Sequence, residues 1–120
     1  MNIDLRLIFP KSKSIFMDKL FQSVKNGDID AFERYISKTK PESFKKIINT
    51  PDSSGVFLIH YAAKAGFLDI CQRLVESGAS INIVNLQRET PLHLAAENQY
   101  PDICQLFVDN GAIIDVKVYF

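Results

Sequence analysis

Two stretches of this chain repeat each other at an offset of 33 residues. The first, IHYAAKAGFLDICQRLVESGASIN, begins at Ile59, and the second, LHLAAENQYPDICQLFVDNGAIID, begins at Leu92. A fainter copy, LFQSVKNGDIDAF, begins at Leu20, 39 residues before Ile59. A repeat of this length is one supersecondary unit that cannot bury its own apolar faces, so the copies must stack to form a core. The sequence therefore predicts a linear stack rather than one compact core.

Capping residues mark two helices in the clearest copy. Thr90 can cap a helix N-terminus with its side-chain oxygen, and Pro91 follows at a position that needs no backbone donor. Pro101 can open a second helix, after which apolar residues recur at helical spacing. Gly78 and Gly111 stand where a helix commonly ends in a left-handed residue. Each copy is therefore predicted to be a helix-turn-helix unit.

These motifs resemble a known family. Residues 90–96, TPLHLAA, resemble the ankyrin repeat signature, and Gly111-Ala112 with Asp115 is similar to its closing segment. The resemblance covers roughly residues 18–117. It implies an all-α fold, an ankyrin-type helical solenoid of stacked helix-turn-helix repeats with projecting β-hairpin fingers.

The resemblance divides the chain into five segments. They are an N-terminal extension (1–17), a degenerate capping repeat with a loop insertion (18–50), two further repeats (51–84 and 85–117) and a short tail (118–120). Within the extension, Ile3, Leu5 and Leu7 alternate with polar residues as in a half-buried strand, and residues 10–14 are predicted to be a turn or linker. The extension is expected to pack against the first repeat or, alternatively, to bind a partner as a strand.

The repeats also depart from the family pattern in two places. Phe57-Leu58 stands where Thr-Pro is expected in the second copy, so that helix lacks the usual start. Arg88 stands in the third copy where the second has Gly55.

The charge balance limits the classes of partner. Lysine plus arginine and aspartate plus glutamate number 14 each, and a net charge of zero argues against a dedicated nucleic-acid binder. Residues 1–50 hold ten basic and six acidic side chains, whereas residues 51–120 hold four and eight. No apolar run is long enough for a membrane span, so no membrane partner is expected and the location is predicted to be cytoplasmic or intracellular. The abundance of Ile, Lys, Asn and Phe is compatible with an AT-rich genome; if the source were an intracellular bacterium, the resemblance would suggest an effector acting in the host cytosol.

The residues that could carry chemistry are better explained by structure. Cys71 and Cys104 lie one repeat apart and are predicted to be free thiols in the core. His60 and His93 lack a third ligand in matching phase, and the resemblance implies that they hydrogen-bond backbone between fingers. A hydrolytic pair of His60 with Cys71 can be imagined, but no orienting third group accompanies it. We therefore predict no catalytic, metal or cofactor site and no enzyme.

What remains is a protein-binding surface. The resemblance implies that fingers and first helices line a concave groove. The matching positions are Lys25, Asn26, Ser53, Ser54, Val56, Lys64, Val84, Leu86, Gln87, Glu89, Glu97 and Asn98. Leu86 is an apolar residue at a predicted finger tip, and it is either a contact for the partner or folded back on the neighbouring finger.

The predicted function is a non-catalytic module that binds a partner protein in this groove, as an adaptor, inhibitor or effector. Two alternatives remain open. The chain could be the N-terminal recognition part of a larger multidomain protein or enzyme. It could also associate with itself, as a homodimer, or contact a further domain through an uncapped, apolar C-terminal repeat that includes Leu106 to Val108 and Val116 to Phe120.

Overall fold

The structure is a computed structural model that describes residues 11–114, with their side chains from Ile15 onward. This range holds seven helices: α1 (Lys11–Lys25), α2 (Ile29–Ser37), α3 (Pro41–Ile48), α4 (Leu58–Ala65), α5 (Leu68–Glu76), α6 (Pro91–Glu97) and α7 (Pro101–Asp109). It contains no β-strand. Within these residues, no helix combines the length and the apolarity that a membrane crossing would need.

The helices stack as three pairs. The inner helices α1, α4 and α6 pack side by side, and each packs against its own outer helix, α2, α5 or α7. One continuous core runs through the stack, because the same apolar cluster contains residues from all three pairs, Leu20 and Phe32, Leu58 and Ile70, and Leu92 and Phe107. The predicted all-α stack of repeats is therefore confirmed.

The fingers between the pairs are narrow turns. The Asp52 N–H donates to the Val56 carbonyl at 2.9 Å, and the Asn85 N–H donates to the Glu89 carbonyl at 3.1 Å. We call these two turns the first finger tip (52–56) and the second finger tip (85–89). In the described residues neither turn continues into a strand ladder, so the β-hairpin part of the prediction is not shown.

The capping predictions for the third repeat are confirmed. Thr90 is the N-cap of α6, its Oγ1 accepts from the His93 N–H at 3.2 Å, and Pro91 follows in the first turn. The His93 Nδ1 in turn accepts from the Thr90 N–H at 3.1 Å. Pro101 opens α7. Gly78 and Gly111 both follow their helices with positive φ, at 95° and 96°.

Helix α1 begins earlier than the sequence predicts. Residues 11–14 belong to α1, so the predicted turn or linker is wrong at these positions, and the helix reaches into the segment expected to lie outside the repeats. The Lys-Ser-Lys-Ser composition suggested a linker, but no Gly or Pro interrupts residues 11–25. Lysine is a good helix former, and Phe16, Met17 and Leu20 supply an apolar face. The predicted strand at Ile3 to Leu7 lies outside the described residues.

The insertion in the first repeat is a helix rather than the predicted loop. Pro41 opens α3, Glu42 lies in its first turn, and Lys45 and Lys46 lie in its last turn, where they interact favourably with the helix dipole. Ile48 is buried, and Phe44 and Ile47 pack against the core. The apolar residues thus occupy one face, which fixes α3 onto the stack.

An aromatic residue from each later repeat covers a left-handed glycine of the repeat before it. A Cβ on Gly27 would lie 2.7 Å from the ring of Phe67, and a Cβ on Gly66 would lie 2.5 Å from the ring of Tyr100. Both glycines have positive φ, 69° and 84°. The equivalent position of the third repeat is Gln99, which adopts φ 63° with a full side chain. We refer to the two glycine–ring contacts as the glycine–aromatic pairs.

Two asparagines one repeat apart also join neighbouring repeats. Asn49 donates to the Gly78 carbonyl at 3.0 Å and accepts from the Ser80 N–H at 2.8 Å. Asn82 makes the same pair of bonds one repeat further on, to the Gly111 carbonyl at 3.2 Å and from the Ile113 N–H at 2.8 Å. These side chains fix the register of the stack.

Candidate functional site

A groove lies between the inner helices and the first finger tip. Its larger cavity, of about 850 Å³, is lined by α1, by Tyr61 on α4 and by residues 50–54 of the finger. A smaller cavity of about 340 Å³ adjoins it, and both share Lys25 and Tyr61 as lining residues. The groove therefore runs from the first repeat along the ends of the inner helices toward the third.

Tyr61 is the centre of the groove. Its hydroxyl donates a short hydrogen bond to the Asp52 carboxylate, and the ring of Phe21 meets its own ring edge-on with 5.9 Å between centroids. The Lys25 ammonium lies 4.7 Å from the centroid of the Tyr61 ring, within range of a cation–π interaction. Three elements, α1, α4 and the first finger tip, are thus fixed to one side chain.

The electrostatics of this cluster favour an ionised Asp52 beside a neutral Tyr61. Burial alone would raise the pKa of Asp52, but hydrogen bonds from the Tyr61 hydroxyl and from the N–H groups of Val56 and Ser54, with the nearby charge of Lys25, lower it below its ordinary value. Burial, followed by the bond to Asp52, raises the pKa of Tyr61 to about 12. The tyrosine therefore stays a hydrogen-bond donor throughout the physiological range.

The finger tips are rigid because an acidic or amide side chain holds each one. Asp52 Oδ1 accepts from the backbone N–H groups of Ser54 and Val56, at 2.9 and 3.0 Å. Asn85, one repeat later, accepts in the same way from Gln87 and Glu89, at 3.0 and 2.9 Å. Such side-chain bonds replace the backbone partners that a tight turn lacks.

His60 ties the second finger to the second repeat. Its Nδ1 accepts from the Phe57 N–H at 3.3 Å, so its Nε2 carries the proton and donates to the Glu89 carbonyl at 2.9 Å. The side chain is only 1% exposed. Burial lowers the pKa of His60 below its ordinary value, which favours the neutral ring that this bonding requires. The role implied for this histidine is therefore confirmed.

The thiols do not offer a reactive site. Cys71 and Cys104 are buried and unpaired, as predicted. Burial raises the pKa of Cys71 to about 12, so its thiol is protonated, and both ring nitrogens of His60 are already occupied by backbone groups. Among the side chains that the structure describes, no three His, Cys, Asp or Glu residues come together to hold a metal ion.

All twelve predicted groove residues lie at least partly in solvent. Val56 and Glu89 are half-buried, and the other ten are exposed. The larger cavity is lined by Lys25, Ser53 and Ser54, and the smaller one by Lys25, Lys64 and Asn98. The remaining predicted residues line neither cavity: Asn26, Val56, Val84, Leu86, Gln87, Glu89 and Glu97. The structure therefore gathers five of the predicted residues around one groove.

Leu86 combines the two alternatives left open by the sequence. A Cβ on Gly55 would lie 2.8 Å from the Leu86 Cγ, so this side chain rests on the first finger tip. It nevertheless remains 76% exposed, and Val84 beside it is 49% exposed. Leu86 therefore both contacts its neighbour finger and presents apolar surface.

Sequence reasoning did not identify Tyr61. A signal was present, because Tyr61 stands where the third repeat has the buried Leu94, and a tyrosine at such a position must find a partner for its hydroxyl. The partner, Asp52, was noted only as a turn residue.

Comparison with known proteins agrees with this architecture. The family profile described as ankyrin repeats (3 copies) matches residues 20–118. Human ankyrin repeat domain-containing protein 39 is 35% identical over 60 residues, which cover 50% of this chain and 30% of that protein. Human caskin-2 is 31% identical over 71 residues and caskin-2 of Xenopus laevis 29% over 73, covering 53% and 55% of this chain and 6% of each relative. The matches thus span less than a third of the length of each of these relatives.

Proposed function

The chain belongs to the ankyrin repeat family, and on this premise we propose that it binds a partner protein along the groove centred on Tyr61. Ankyrin repeats are generally non-catalytic protein–protein interaction modules. The observation that carries the proposal is the continuity of the groove: Lys25, Lys64 and Asn98, from three successive inner helices, line adjoining parts of it.

The mechanism is the presentation of a rigid surface. The finger tips are held by Asp52 and Asn85, and His60 and Asn49 bond the repeats to one another, so the groove needs little ordering when a partner binds. Association normally costs about 0.5–1.5 kcal/mol for each flexible side chain that is immobilised. A preordered groove avoids much of this cost, so a modest number of contacts can give useful affinity. We also propose an intracellular location, supported by the two unpaired cysteines.

The test is affinity capture from a lysate of the source organism with a blocking variant and a matched control. Ala65→Trp places a bulky ring in the smaller cavity, whereas Gln72→Trp places the same ring on the exposed side of α5. Partners that bind in the groove should be lost with Ala65→Trp and retained with Gln72→Trp. The double variant Leu86→Ala/Glu97→Lys tests the finger side of the surface. A partner list unchanged by Ala65→Trp would refute the groove.

The same groove would serve as the recognition part of a longer protein. This second proposal is compatible with matches that cover 30% and 6% of the relatives' lengths. Expression of the full reading frame, followed by the same capture experiment, would test whether the groove determines the partners of the longer chain.

Self-association is a further candidate, supported by one observation. Ile113 and Ile114, beyond α7, are 71% and 57% exposed. Exposed apolar surface of this kind often marks an interface. Light scattering should show a mass that rises between about 5 and 100 µM if this end pairs, and the double variant Ile113→Ser/Ile114→Ser should abolish the rise. A constant monomer mass would reject this candidate.

A further inference from the structure

The smaller cavity of the groove has a lining of one sign. Lys25 and Lys64 contribute two ammonium groups, Asn98 contributes an amide, and Tyr61 and Ala65 complete the wall. No carboxylate is among the described residues that line it. Charge complementarity therefore favours an anionic group in this cavity.

The carboxylate on the far side of Tyr61 does not neutralise this cavity. Asp52 lines the larger cavity only, and its oxygens already accept from the Tyr61 hydroxyl and from two backbone N–H groups. Lys25, meanwhile, is positioned over the face of the Tyr61 ring. Its charge is thus held at the boundary between the two cavities and remains available to the smaller one.

Charge along the groove has a direction. Lys25, Lys64 and Glu97 occupy the same position in three successive copies, at offsets of 39 and 33 residues, and all three are exposed. They lie at or next to the C-terminal ends of α1, α4 and α6. The groove is therefore positive over the first two repeats and negative at the third.

Helix spacing converts this pattern into a spacing on the partner. Packed helices lie about 8–10 Å apart, and an extended chain advances about 3.3 Å per residue. One step from repeat to repeat thus corresponds to about three residues of an extended segment.

We propose that the groove recognises an extended segment of a partner protein, with an acidic side chain between Lys25 and Lys64 and a basic side chain about three residues away, opposite Glu97. This inference rests on the proposed function, since it names the chemistry of the partner in the same groove. A free anion is a poorer occupant, because an ion pair in an exposed site contributes only about 0–1 kcal/mol. A protein segment gains additional contact with Met17, Phe21 and Pro51, the apolar part of the larger cavity.

The experiment selects peptides from a phage-displayed library of random 12-residue segments, with the whole chain as bait. Wild type is compared with Lys64→Glu and with the matched control Lys46→Glu, which makes the same charge change on the exposed side of α3. Peptides selected by wild type should be enriched in Asp or Glu at one position, with Lys or Arg about three residues away. The dissociation constant of a synthetic selected peptide, from fluorescence polarisation, should rise about tenfold with Lys64→Glu and stay within about twofold with Lys46→Glu.

Charge exchange provides the sharper test. Replacing the acidic residue of the peptide by lysine should restore binding to Lys64→Glu and weaken binding to wild type. Because Lys64 also interacts with the C-terminal end of α4, thermal unfolding of each variant confirms that the compared proteins are folded.

The outcomes separate this inference from the proposed function. If Ala65→Trp abolishes peptide binding but Lys64→Glu has no effect, the charge inference is wrong and the groove stands. If Ala65→Trp also leaves binding intact, the groove itself is wrong. A selection that yields no peptide, or peptides without acidic enrichment, overturns the inference as well.

Discussion

Replacement of Gly66 by alanine should destabilise the stack far more than the same change at Gly78 or Gly111. All three glycines have φ between 84° and 96°, in the left-handed region that an alanine adopts only with strain. They differ in what a new Cβ would meet. At Gly66 it would lie 2.5 Å from the ring of Tyr100, at Gly78 it would lie 3.3 Å from the flexible Lys45 stem, and at Gly111 nothing lies within 4 Å.

These contacts set the expected magnitudes. The left-handed conformation costs a non-glycine residue about 1–2 kcal/mol, and this cost is common to all three sites. A methyl group forced against a packed ring adds about 1–3 kcal/mol, since backbone or ring must shift. Gly66→Ala should therefore lower the free energy of unfolding by about 2–5 kcal/mol, against about 1–2 kcal/mol for Gly78→Ala and Gly111→Ala.

Urea denaturation followed by far-ultraviolet circular dichroism measures these differences. With a slope of about 2 kcal/mol per molar urea, the midpoint for Gly66→Ala should lie about 1 M or more below that of wild type. A double-mutant cycle with Tyr100→Ala isolates the contact, because removing the ring should make Gly66→Ala cost no more than Gly78→Ala. Equal losses at Gly66, Gly78 and Gly111, or a cycle with no coupling, would refute the steric reasoning.

Three further predictions address other contacts. Burial lowers the pKa of His60 below its ordinary 6.5, so the unfolded chain binds the proton more readily; the free energy of unfolding from urea titrations should fall as pH drops from 6.5 toward the lowered pKa, and His60→Gln should flatten this slope. Asn49→Ala should lower the free energy of unfolding by about 1–2 kcal/mol, because two bonds between repeats are lost; a change within experimental error would contradict their role. In an absorbance titration, one tyrosine of the four should ionise with a pKa of about 12, and Tyr61→Phe should remove that step; its persistence would assign the step to another residue.

Comparison between copies explains which parts of the fold could be predicted. Thr90, Pro101 and Gly78 act through local backbone chemistry that is visible in the sequence, and two aligned copies fixed their phase. Helices α1 and α3 were only partly foreseen, because no second copy existed against which to compare their sequences. Their Lys- and Ser-rich composition is equally compatible with a linker, and contact with the stack decides in favour of helix.

The groove was predictable in outline but not at its centre. The repeat phase placed Lys25, Lys64 and Asn98 correctly on the exposed ends of the inner helices, since equivalent positions share an environment. The Tyr61 cluster could not be derived in this way. It depends on the approach of α1 to α4 and of the first finger tip to both, and none of these contacts recurs in the third repeat, where Leu94 is buried instead.

The glycine–aromatic pairs also determine where such an array could be lengthened by engineering. A second copy of residues 51–84 inserted after residue 84 would supply a new Phe67 ring to cover the first Gly66, while its own Gly66 would receive Tyr100. The same unit appended after the third repeat would instead bring its Phe67 ring against the Gln99 side chain. The sequence thus carries the equivalent of a directional connector, which accepts new units between the second and third repeats and resists them after the third.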